Sequence, residues 1–158
     1  MRERGTLWQG RERGASVVEF AVLAPVLLLL VLGMVEFGWL FGQFNDVRHG
    51  AREGARYAAV NGGDETTIAD RVCQSMDGLD AGMTLITVTV AEFESNGTAG
   101  IQRGDTGTLQ VTADVSGLSS VPLISAFLPS QLSSTVEFRM EQDPDRWAPA
   151  TITRATCP

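Results

Sequence analysis

A carboxylate set inside an apolar stretch is the least ordinary chemistry this chain offers. The segment Arg13-Gly14-Ala15-Ser16-Val17-Val18-Glu19-Phe20 runs from basic residues through a glycine into an apolar run, which Glu19 breaks at the fifth position after Gly14. An ionised carboxylate at the centre of a bilayer costs about 2.5 to 3.5 kcal/mol on insertion scales, so Glu19 implies either closeness to an interface or a partner. Glu36 stands seventeen residues further on, near the opposite interface, where a side chain that reaches back to water is explanation enough. His49 is the single histidine, and the sequence holds no nucleophile elbow, no phosphate-binding glycine loop and no Cys/His group at metal-ligand spacing. No catalytic residue, metal, cofactor or small-molecule substrate is expected. Asp143-Pro144-Asp145 reads as a solvated turn rather than a calcium site. Asn96-Gly97-Thr98 has the form of a glycosylation acceptor and reads as an ordinary turn.

Cys73 and Cys157 are the remaining reactive pair. Both lie beyond the apolar stretch, in the part expected to be exported, where oxidising conditions let a bridge form and persist. They are a candidate disulfide, the alternative being two unpaired thiols. Closing so long a loop stabilises a fold by about 4 to 5 kcal/mol on the chain-entropy model, less any strain.

These groups need elements to hold them. From Val17 to Phe41 the chain reads VVEFAVLAPVLLLLVLGMVEFGWLF, uncharged between Ala21 and Val35 and long enough to cross a hydrocarbon core about 30 Å thick. This predicts a transmembrane helix with Pro25 inside it and Trp39 at an interface. The apolar run overshoots the usual length of a signal peptide. Flanking charge orients it weakly, because four Arg precede the helix while Arg48, Arg52 and Arg56 follow it.

The following residues, QFNDVRHGAREGARYAAV, stay in helical register, with Val47, Ala51, Ala55 and Ala58 on one narrow face and the three Arg on another. Small residues on that face allow close approach of another helix, although alanine also enters helices for its propensity alone. The arginine stripe reads as a solvated face or interfacial anchor. After Asn61-Gly62-Gly63-Asp64, a short amphipathic helix is expected from Ile68, Val72 and Met76, with Thr66 or Thr67 as N-cap. Ile86, Val88 and Val90 alternate with Thr87 and Thr89, Leu109 to Val115 alternate in the same way, and a third alternating run spans Leu132 to Met140. Ser95 to Gly107, with four glycines, is expected to be a long mobile turn, and SSVPLISAFLPSQ a helical turn packed beside the sheet.

The fold expected is α+β: a long N-terminal transmembrane helix extended beyond the membrane, then a small domain with a roughly three-stranded antiparallel sheet and a short helix. Residues 15–60 form the helix and its extension, 61–142 the exported domain and 143–158 an irregular tail. Charge agrees with this division. Residues 1–14 carry four Arg and two Glu, whereas residues 61–158 carry thirteen acids against five Arg, and the chain has no Lys. An acidic outer part of this kind excludes nucleic-acid binding.

The N-terminal motif resembles the processing site of type IV prepilins and pseudopilins, in which a membrane aspartyl peptidase cuts after the glycine. The resemblance narrows to the TadE-like family, because Glu19-Phe20-Ala21, Pro25, Glu36-Phe37-Gly38 and the alanine-arginine segment from Ala51 to Ala59 follow in that family's order. It implies residues 1–14 as a leader, a cut between Gly14 and Ala15, and Glu19 as a carboxylate that meets the freed amine of a neighbouring subunit. It further implies a minor pseudopilin of tight-adherence (Flp-type) pili, held in the inner membrane with its N-terminus cytoplasmic. The partners implied are the lipid membrane, prepilin peptidase, other pilins and platform proteins. From composition and periodicity alone the alternative stays open, an uncleaved single-pass anchor carrying a binding or sensory domain.

Overall fold

The computed structural model describes residues 9–61, 65–76, 83–94, 102–115, 126–142, 150–154 and 157. The chain separates into two compact units, Met1–Phe37 and Gly38–Pro158. Helix α1, Gln9–Asn61, runs through the boundary with Pro25 inside it. In the first unit its large apolar side chains, among them Val17, Phe20, Leu23, Leu27, Leu30 and Met34, are exposed. A helix apolar all round is the pattern for lipid rather than water. It is long and apolar enough to cross a membrane.

The second unit is built on a second helix and four strands. Helix α2 is Glu65–Gln74, and the strands are β1 Met83–Glu94, β2 Thr106–Val115, β3 Gln131–Arg139 and β4 Ala150–Arg154. The sheet order is β3-β2-β1-β4, with every neighbouring pair antiparallel. Period-two alternation sends Ile86, Val88, Val90, Leu109, Val111, Ala113, Leu132 and Phe138 into one core. Val47, Ala51, Ala55 and Ala58 of α1, Ile68 and Val72 of α2, and Met76 in the turn just beyond α2 complete it.

The small-residue face of α1 thus has its partners within the same chain. A β-carbon at Gly50 would come within 2.7 Å of Met76 Cγ, and one at Gly54 within 2.5 Å of Val72 Cγ2. Glycine permits a close approach that any side chain would oppose. Arg71 of α2 adds a cation–π contact to Tyr57 of α1, 5.4 Å from its ring centroid.

Three local readings are corrected. Ala150–Arg154, expected within an irregular tail, pairs with β1 as a fourth strand; a five-residue run with one large apolar side chain carries too little alternation to announce itself. The turn expected from Ser95 to Gly107 is shortened, because β2 already begins at Thr106. Within its described part, Asp105 Oδ2 accepts a hydrogen bond from Gln102 N at 2.7 Å, and Gly104 takes a positive φ of 95°, which glycine adopts without strain. Gly104 N and Met140 N then bond Met140 O and Asp105 O, joining this turn to the end of β3. Helix α2 starts at Glu65, ahead of the expected N-cap threonines. The helical turn expected in SSVPLISAFLPSQ falls mostly outside the described residues.

Candidate functional site

Gly14, Ala15 and Glu19 all belong to α1 and are exposed. Ala15 and Glu19 are four residues apart and so share a helix face, one turn and about 6 Å from each other. A β-carbon at Gly14 would meet nothing within 4 Å, so packing does not demand glycine there. Backbone freedom is the remaining physical role. The Gly14–Ala15 bond lies in helical backbone, whereas a peptidase cleft accepts an extended one, and glycine in a helix costs about 1 kcal/mol relative to alanine. That preference lowers the cost of opening the helix at this bond.

Glu19 has no basic partner among the described residues. Its carboxylate is set among exposed Val17, Val18, Phe20, Val22 and Leu23. In an apolar surrounding such a group is favourable only near an interface or beside a cation supplied from outside its own helix.

Cys73 and Cys157 are brought together. Cys73, at the end of α2, is bridged to Cys157, just beyond β4, with S–S 2.08 Å and Cα–Cα 5.1 Å across 84 residues. The bridge ties the last strand of the sheet to the helix that covers it. Its place is structural, with Cys73 buried in the core.

Two polar side chains of α1 are buried, and for Glu36 this departs from the sequence reading. Glu36, expected to reach toward water, is 2 % exposed and has a partner within the chain. Gln43, one heptad further on, is 0 % exposed, and neither its Nε2 nor its Oε1 has a hydrogen-bond partner. Spacing carries the signal in hindsight. Glu36, Leu40, Gln43, Val47, Gly50 and Gly54 recur at intervals of three and four residues, so the polar pair continues the face that turns apolar above it. Arg48, Arg52 and Arg56 are exposed, as the solvated-stripe reading expects. Arg48 lies 5.6 Å from the centroid of the Phe44 ring, and Arg56 makes a long 3.8 Å pair with Glu53.

No curated protein and no solved structure matches the chain. A family model does, beginning at the glycine that precedes the apolar helix. It runs through Glu19, Pro25 and Glu36-Phe37-Gly38 into the alanine-arginine segment of α1. Residues 14–56 match the model described as TadE-like protein, so this segment of α1 is similar to that family.

Proposed function

We propose that this chain is a minor pseudopilin of the tight-adherence (Flp-type) pilus system, acting as an assembly component without catalytic turnover. The TadE-like match relates it to that pilus machinery, and the observation that carries the reading is that the match begins at Gly14 and includes Glu19. In this reading α1 anchors the chain in the inner membrane, with residues 1–14 in the cytoplasm and the β-sheet unit outside. Prepilin peptidase cuts between Gly14 and Ala15 and frees the Ala15 amine. Glu19 then meets the amine of a neighbouring pilin, a cation supplied from outside its own helix. The disulfide fits an exported domain, since such bridges persist in oxidising compartments.

The test is intact mass after co-expression with the peptidase of the same pilus system. Cleavage yields a mature chain of 144 residues starting at Ala15, and Gly14→Val stays full length. An unprocessed wild-type chain that nonetheless sits in the membrane would replace this reading with that of an uncleaved anchor.

A further inference from the structure

Among the described residues of the second unit outside α1, two large apolar side chains are exposed, Leu85 and Phe127, the latter at 77 %. Phe127 belongs to the turn before β3, where Ala126 and Pro129 are also exposed and Leu128 is half-buried. The turn falls in the longest uncharged run beyond α1, Val115 to Val136. A large ring left open in an uncharged stretch marks a contact surface more often than a solvated loop.

Both side chains lie at one end of the sheet. Val115 N donates to Ser130 O, three residues after Phe127, while Leu85 pairs with Asp114 and Asp114 with Gln131. The opposite end is fixed by Glu141 N, which donates to Ala59 O near the end of α1. Five residues back along α1, a β-carbon at Gly54 would meet Leu109, whose partner in β3 is Val136. Within this unit α1 and β3 therefore run in the same sense, and the Phe127 turn lies toward the earlier turns of α1. Leu40 and Phe44 still pack on the shared core. From Leu40 to Ala58 α1 covers about 27 Å, close to the length of nine-residue β3. The end of the unit that carries Phe127 is thus the end that carries Trp39, Leu40 and exposed Phe41, the last residues of the apolar run.

We infer that the turn before β3 is a second membrane contact, with Phe127 and Leu128 entering the headgroup–acyl boundary of the bilayer that α1 crosses. The inference rests on reading α1 as a membrane span. Lipid is the occupant because the turn shares its end of the unit with the close of a helix long and apolar enough to cross a membrane, whose exposed Phe41 already belongs to that surface. An apolar side chain gains by burying about 5 to 10 Å into this boundary, and a stretch without charge enters it at little cost. Asp114 limits the depth. Its carboxylate accepts a hydrogen bond from Gln131 Nε2 at 2.7 Å, and an acid at this place stays at headgroup level.

The test uses the full chain in phosphatidylethanolamine/phosphatidylglycerol vesicles. Because Cys73 and Cys157 are bridged, one added cysteine can carry a nitroxide. Ser130→Cys reports on the turn without replacing Phe127, and Gln102→Cys reports on the opposite end of the sheet, where Gln102 is exposed. The ratio of relaxation by lipid-soluble oxygen to relaxation by a water-soluble nickel chelate is expected to be at least fivefold higher at Ser130→Cys. Adding Phe127→Asp should bring it within twofold of Gln102→Cys, with the bridge unchanged by mass and the circular dichroism preserved. Phe127→Trp should keep the fivefold difference. Equal ratios at the two sites in chain that floats with the vesicles would overturn the contact and leave the membrane reading standing. So would a Ser130→Cys ratio that Phe127→Asp leaves unchanged. A ratio that collapses when the chain is diluted tenfold in lipid would assign the turn to a second copy instead of the bilayer. Failure to float would overturn the membrane reading, and this inference with it.

Discussion

Gly54 of α1 lies against Val72 of α2 so closely that a β-carbon on the glycine would sit 2.5 Å from Val72 Cγ2 and 3.4 Å from Leu109 Cδ1. Val72 is stiff at χ1 and held in the core. A side chain at position 54 must therefore move helix or sheet. Gly54→Val is expected to destabilise the second unit by about 1 to 3 kcal/mol, the usual cost of overpacking. The check is thermal unfolding of the detergent-solubilised chain followed by circular dichroism. An unchanged Tm would mean that α2 does not pack on α1 at this point.

Removing the disulfide should act first on β4. That strand is five residues long, lies at the edge and pairs with β1 alone, while the bridge at Cys157 fastens the chain just beyond it. Cys157→Ser paired with Cys73→Ser is expected to lower stability by about 4 kcal/mol on the chain-entropy model. Hydrogen exchange should show the amides of Ala150, Ile152 and Arg154 losing protection before those of β1 and β2. Uniform loss across the sheet would mean that the bridge does not act locally.

Gln43 carries an amide enclosed without a partner, and such a group costs about 1 to 3 kcal/mol. Gln43→Leu keeps roughly the same volume and removes that cost, so Tm is expected to rise. A fall in Tm would show that the amide is satisfied in solution.

The residues bearing on these predictions were not equally legible in the sequence. Strands β1 to β3 and helix α2 each carry several apolar residues at one period, so local pattern alone located them. Strand β4 has Ile152 as its one large apolar residue. Its partner β1 lies some sixty residues earlier, and that pairing is set by tertiary context rather than by propensity. The burial of Glu36 and Gln43 was hidden for a related reason. Polar side chains at 36 and 43 break the apolar stripe, although their spacing keeps them on its face. Gly14 and Glu19 were legible because a glycine and an acid at the head of an apolar helix are conspicuous by type. The task proposed for them depends on contacts outside the chain, which no pattern within it encodes.

The last expectation concerns that outside contact. In the cleaved chain, Ala15 would begin α1 and Glu19 would lie one turn above it. A neighbouring helix displaced by about 6 Å along its axis would bring its terminal amine level with Glu19. In an apolar surrounding such a pair is held by charge as well as by hydrogen bonding, and removing one member leaves the other uncompensated. Glu19→Gln keeps the size and the acceptor oxygen but not the charge. It is expected to insert in the membrane and be cleaved as the wild type is, yet to co-purify with other pilins at least tenfold less. Measuring cleavage by mass and association by pull-down from the same membranes separates the two steps. Equal recovery of pilins with Glu19→Gln would remove charge pairing from the role of this residue and leave only its position near the interface to explain it.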